Sequence, residues 1–322
     1  MSTRNRIILM SLLILTVSVV VFLVTIQHRD PLFRGKPEKE WIKNLAYNDS
    51  SQVNQWREFG PDGVRVLIRA LKETCNNASK SNDMTHQTRM RLVDLLSSLG
   101  KDALEGAPVM AKALKDKTPG VRMNALSFFI DEEEDAFLHL PKETKRKLLP
   151  EFIRAIEDPL KPGLRNNAAL ALRYYPEQRE IVTPVLVKAL GDPVPKIRLL
   201  AAAALHRVAP DTLSEKGVVP VVIEVLKDPD GQVAYQAALL LGKIGKEPSL
   251  AVPALLKSVQ GSNGLVASMA AHALGNFPDE VDVIVPVLLR VYQDTNSVVS
   301  RRASVDALKQ LAPEALAKVK SN

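Results

Sequence analysis

The sequence predicts an all-α chain: a solenoid of about seven stacked helical hairpins, preceded by a single N-terminal transmembrane helix. Three observations carry this. An internal repeat begins at Pro108, Pro150, Pro184, Pro220, Pro253 and Pro286, at spacings of 42, 34, 36, 33 and 33 residues. Within each repeat the apolar residues recur at helical rather than strand spacing, as in Val185, Leu186, Ala189 and Leu190. Finally, Ile7 to Ile26 form an unbroken run with no charge, Pro or Gly.

Composition agrees. Of 322 residues, 46% are apolar and 25% charged, which is ordinary for a folded chain and excludes disorder as the main state. Aromatics are only 5%, so small and aliphatic side chains must build the core, which favours helices over a β-sandwich. The single cysteine, Cys75, excludes an intrachain disulfide and a cysteine-based zinc site. A net charge of +7 permits an anionic partner without demanding one.

The elements follow in chain order. Residues 1–6 are a short flank carrying Arg4 and Arg6. Residues 7–26 are long enough as a helix to span the hydrocarbon core of a bilayer, roughly 30 Å. No small-x-small site follows the run, which favours an uncleaved anchor over a cleaved signal peptide. Arg4 and Arg6 favour a cytoplasmic N-terminus, while Arg29, Arg34, Lys36, Lys39 and Lys43 argue the reverse. Long C-terminal domains translocate largely regardless of charge, so the body is expected outside the cytoplasm. Residues 27–36 are a linker. Residues 37–59 hold two short helices, Lys39 to Leu45 and Gln52 to Phe59, whose Trp41 and Trp56 cap the end of the core, since terminal repeats are atypical.

Residues 60–312 are the repeat array. Eight residues after each starting Pro lies Asp116, Asp158, Asp192, Asp228, Gly261 or Asp294. Next comes Val121, Leu164, Ile197, Val233, Val266 or Val299, and four residues later Ala125, Ala168, Ala201, Ala237, Ala270 or Ala303. Pro suits a first helical turn, where its missing N–H costs nothing. Asp-Pro, as at Asp158-Pro159, ends that helix and turns the chain. The second helix carries an apolar stripe such as Ile197, Ala201, Ala204, Leu205 and Val208, with alanine where two backbones must approach closely. One hairpin cannot bury its own stripe, whereas stacked hairpins can. Gly60 to Gly100 makes a further hairpin interrupted by a polar insert, Asn76 to Gln87. Residues 313–322 are expected to be a tail, polar and frayed from Leu316 onward.

These residues carry a resemblance. The pattern in Ala251-Val252-Pro253-Ala254-Leu255-Leu256 and in Lys196 to Leu205 resembles the HEAT repeat of the bacterial HEAT-like type, over about residues 50 to 312. Residues Gly35 to Leu45 also look like the leader preceding HEAT arrays in some bacterial envelope proteins. The resemblance implies a right-handed, armadillo-type α-solenoid that scaffolds or binds other proteins. With the run Ile7 to Ile26, the expected place is a single-pass protein of the bacterial inner membrane. The resemblance implies no reaction, because fold does not fix function.

Chemistry-bearing motifs are missing. His28, His86, His139, His206 and His272 are all more than a helical turn apart, which excludes an HExxH-like pair. There is no Gly-rich phosphate loop, and the run Asp131 to Asp135 lacks the ligand spacing of an EF-hand. No catalytic residue, metal or cofactor is expected.

Two residue sets remain. Arg89, Arg122, Arg165 and Arg198 follow the second-helix starters. With the turn aspartates Asp116, Asp158 and Asp192 they suit a structural inter-repeat ladder, because Arg offers a multi-donor fork to carboxylates and carbonyls. Phosphate binding by the same column is disfavoured, since no aromatics interleave with it. The second set lies two, three and six positions after each starter. It comprises Asn166, Asn167, Leu199, Leu200, Tyr235, Gln236, Leu239, Met269, His272, Arg301 and Arg302. As a concave ridge with apolar members it would bind a protein or peptide. Tight superhelical packing that hides these side chains is the competing reading. By family analogy alone, an enzyme-associated role like that of HEAT-like bilin lyases and a nucleic-acid-binding role are the alternatives to a membrane-tethered scaffold.

Overall fold

The structure is a computed structural model that describes residues 30–76, 83–130, 137, 139–294 and 298–320. The expected transmembrane run Ile7–Ile26 lies outside the described residues, as do residues 77–82 of the polar insert and the acidic run at 131–135. Among the described residues, no helix is long and apolar enough to cross a membrane. The chain divides into two compact units, Met1–Phe128 and Phe129–Asn322.

The first unit opens with a small antiparallel hairpin, β1 (Leu32–Phe33) and β2 (Lys36–Pro37), where sequence periodicity anticipates no strand. Its two-residue turn, Arg34-Gly35, has both residues at positive φ (50° and 79°). Such a turn matches the twist of paired strands, and Gly35 makes it accessible. Helices α1 (Glu38–Lys43) and α2 (Ser50–Glu58) follow. The Asp49 carboxylate caps α2 by accepting from the Ser51 and Gln52 backbone N–H groups. Trp56 is 1% exposed and lies within 6.2 Å, centroid to centroid, of Phe33, Trp41 and Phe59. These rings seal the end of hairpin α3 (Gly60–Asn76) and α4 (Asp83–Leu99). Residues 83–87 belong to α4, so the helix claims part of what the sequence reads as an insert. A 3₁₀ segment leads to α5 (Ala107–Ala113) and α6 (Pro119–Ser127), and α6 packs beside α4.

The second unit is five hairpins. They are α7 (Lys142–Ile156) with α8 (Pro162–Leu172), α9 (Arg179–Ala189) with α10 (Pro195–Val208), and α11 (Val218–Val225) with α12 (Gly231–Ile244). Then come α13 (Pro248–Val259) with α14 (Gly264–Leu274), and α15 (Val281–Asp294) with α16 (Val298–Leu311). The second helices α8, α10, α12, α14 and α16 stack side by side in one layer and the first helices in another. The second-helix layer is the more closely packed, and its alanines are the cause. Ala168, Ala201, Ala237 and Ala270 are fully buried, and a Cβ on Gly242 of α12 would come 2.9 Å from Ala273 Cα of α14. Side chains this small let two backbones approach where leucines would hold them apart.

Three expectations need correction. Pro150, Pro184, Pro253 and Pro286 lie inside their helices, which begin a turn or more earlier than the prolines suggest. Each removes one backbone bond inside its helix, a cost of about 3 kcal/mol that the packing of the helix must offset. Val299 is 45% exposed although its counterparts are buried, because only one neighbouring hairpin covers the last one. The tail is a helix, α17 (Pro313–Lys320), which packs on α16 and buries Leu316.

Candidate functional site

The ladder residues share one turn template at Asp116, Asp158 and Asp192, and at Asp116 and Asp192 it carries an ion pair to the preceding hairpin. The Asp192 carboxylate takes Arg165 of the preceding hairpin in a two-pronged bond, Nε to Oδ2 at 2.7 Å and Nη2 to Oδ1 at 3.1 Å. The same carboxylate accepts the Val194 N–H at 2.9 Å, which fixes the turn. Its backbone carbonyl accepts Arg198 Nη1 at 2.9 Å. One residue thus ties α8, the turn and α10 together. Arg165 reaches the other way as well, donating Nη1 to the Asp158 carbonyl at 3.0 Å. Around Asp158 the carboxylate accepts the Leu160 and Lys161 N–H groups.

The first unit repeats the arrangement. Arg89 Nε lies 2.7 Å from Asp116 Oδ2, Thr118 N–H donates to Oδ1, and Arg122 Nη1 donates to the Asp116 carbonyl at 3.0 Å. His86 Nδ1 is 2.8 Å from both Arg89 Nη2 and Thr118 Oγ1. Both ion pairs are buried: side-chain exposures are 1% and 4% for Arg89 and Asp116, and 10% and 8% for Arg165 and Asp192. They join neighbouring hairpins through buried charge pairs.

The ridge lies on the second-helix layer of the second unit. Asn166, Asn167, Leu200, Tyr235, Gln236, Leu239 and Met269 are half-buried, and His272, Arg301 and Arg302 are exposed. Leu199 does not belong to the surface: it is 2% exposed. The alanines draw α8, α10 and α12 so close that the flanking helices roof over this position, which an isolated helix would turn toward solvent. What remains is a half-open apolar strip of Leu200, Tyr235, Leu239 and Met269. Asn166 and Asn167, bonded to each other at 3.2 Å, lie at one end, and the two arginines lie at the other.

Cys75 is half-buried on α3, and burial pushes its thiol pKa up, away from nucleophilic reactivity.

One cluster escapes the sequence reading. At the ends of the second helices stand Arg173 and Tyr174, then His206 and Arg207, then Lys243 and Lys246. The Arg173 and Arg207 guanidiniums lie 4.8 and 5.2 Å from the centre of the Tyr174 ring. The available signal is a further column, nine and ten residues after each starter. It carries a basic residue in three consecutive hairpins, at Arg173, Arg207 and Lys243, and is neutral after Val266, at Gly275 and Asn276.

Residues 183–263 match the family model for HEAT repeats. Among solved structures, the chain is similar to an engineered protein from a structural genomics consortium. That likeness has a TM-score of 0.47 and 16% identity, covering 64% of this chain and 98% of the other. It is also similar to a designed armadillo repeat protein, with a TM-score of 0.40 and 18% identity, covering 75% and 99%. No curated protein matches the chain. The matched segment takes in most of α9 and all of α10 to α13. The hairpins carrying Arg198, Leu200, Tyr235 and Leu239 are thus similar to HEAT repeats.

Proposed function

We propose that this chain is a membrane-tethered scaffold whose second-helix layer binds a protein or peptide. The observation that carries the reading is the half-open strip of Leu200, Tyr235, Leu239 and Met269, apolar where a solvated helix face would be charged. The closer packing of the alanine-bearing helices makes their layer the inner one, so the strip lies on the concave side. The right-handed winding implied by the HEAT resemblance would extend that side from hairpin to hairpin. A rim of asparagine, histidine and arginine suits an interface core with polar edges.

Tyr235→Ser tests this reading. The side chain is half-buried, so the melting temperature should move by no more than about 1 kcal/mol would produce. Capture of a discrete protein partner by the full-length chain should fall about tenfold or more. A large loss of stability with capture unchanged would place Tyr235 in the packing and remove the ridge as a site.

The tether rests on the uncharged run Ile7–Ile26. Full-length protein should fractionate with membranes and resist carbonate extraction, while a version beginning at Gln27 should be released. An intact, unprocessed chain in the soluble fraction would contradict the tether. With the body held outside the cytoplasm of the inner membrane, the partner would be an envelope protein.

A further inference from the structure

The cationic column at the ends of α8, α10 and α12 is a surface separate from the ridge. Arg173 follows the last residue of α8, His206 and Arg207 occupy the last turn of α10, Lys243 the last turn of α12, and Lys246 comes just after it. Among the described residues, none of Arg173, Arg207, Lys243 and Lys246 forms an ion pair. The contrast is local, since Arg179 beside them is paired to Asp211 at 2.8 Å.

Two cations instead share one ring. Arg173 and Arg207 both stack on Tyr174, and Arg173 Nη2 also donates to the Tyr174 hydroxyl at 2.7 Å. Lys246 Nζ donates to the Pro210 carbonyl at 2.7 Å, with the Asp211 carboxylate within electrostatic reach. Two buried polar atoms in the cluster, Arg173 Nε and His206 Nδ1, have no hydrogen-bond partner. Burial first, then the charges of Lys243 and Lys246, hold His206 below its ordinary pKa, as a concentration of positive charge would.

Helix C-termini favour cations in general. That preference does not require two arginines to stack on one tyrosine.

We propose that Arg173, Arg207 and Lys243 form a cationic rail that binds an extended acidic segment of a partner protein, with an acidic side chain at every third position. Spacing supports the register. Packed helices of one layer lie about 10 Å apart. A polyproline II chain has three residues per turn and rises about 3.1 Å per residue, so its every third side chain lies on one face and advances by nearly the same distance. Each carboxylate then meets one rung: the exposed Arg207 and Lys243 head groups, and Nη1 of Arg173, whose Nη2 is held by the Tyr174 hydroxyl. A nucleic acid fits less well. Its phosphates come about every 3.4 Å along a duplex strand, much denser than the rungs, and one tyrosine makes no platform for successive bases.

The test uses the full-length chain in neutral detergent and a fluorescent peptide with Glu at every third position among Ser and Gly, read by anisotropy. Wild type should bind it. Arg207→Glu with Lys243→Glu should weaken binding by about tenfold or more. Lys196→Glu with Lys257→Glu makes the same charge change on exposed lysines away from the rail, and should leave binding within about twofold. The neutral pair R207Q and K243Q, which adds no repulsion and preserves the fold, should show an intermediate loss. A peptide with Glu at every second position should bind more weakly. Equal losses from the two Glu pairs, equal affinity for both peptides, no binding, or tighter rail-dependent binding of oligothymidine would each overturn the proposal. Tyr235→Ser leaves the rail intact and should not weaken peptide binding, so failure here is distinct from failure of the ridge.

Discussion

Replacing Asp192 by alanine is expected to cost about 3–5 kcal/mol. The change strands the Arg165 guanidinium, already nine-tenths buried, without the carboxylate that takes two of its N–H groups. It also unties the turn, because the Val194 N–H loses its acceptor. The loss should appear as faster hydrogen exchange in α8 and α10 before it appears elsewhere, since repeat arrays open locally. Removing both partners with an apolar pair, Arg165→Met and Asp192→Leu, should recover most of the loss. Asp116→Ala should behave alike in the first unit, where Arg89 is still more buried. A cost below about 1 kcal/mol would show the pair to be no more than a surface ion pair.

Trp56→Ala has the second large expected effect, about 3–5 kcal/mol, as for other fully buried tryptophans. Trp56 lies among Phe33, Trp41 and Phe59, so its loss opens a cavity at the end of the α3–α4 hairpin. Each aromatic contact also contributes beyond its buried area. The ion pair between Glu38 and Arg69 stays in place but cannot fill the void. The cap, α1 and the β1–β2 hairpin should exchange amide hydrogens at rates near those of an unfolded segment, while α10 to α14 stay protected. Unchanged exchange across residues 30–60 would mean that the rings cover the core without holding it.

The second helices are legible in the sequence because their signal is redundant: a β-branched or aliphatic starter, an alanine four residues on, and an apolar stripe all repeat. The starts of the first helices are less so. Proline reads as a first-turn residue, yet at Pro184 the helix already runs from Arg179, because the packing of the helix outweighs the bond that the proline removes. The β1–β2 hairpin escapes periodicity, since two-residue strands have no period; only Arg34-Gly35 marks it. Leu199 is the instructive case at the site. Helical geometry alone turns it away from Ile197, and only the closeness of neighbouring helices buries it. That closeness is written in the alanines of three hairpins and never in the residue itself. The cationic rail escapes for the same reason: Arg173, Arg207 and Lys243 are separated by 34 and 36 residues and meet only through stacking.

The central claim is that the second-helix layer of residues 129–322 is a binding face. Hydrogen exchange of the full-length chain, with and without its captured protein partner, tests this most directly. The account predicts added protection in α10, α12 and α14, around Leu200, Tyr235 and Met269, with α9, α11 and α13 unchanged. Protection confined to the first helices, or spread evenly over both layers, would contradict it.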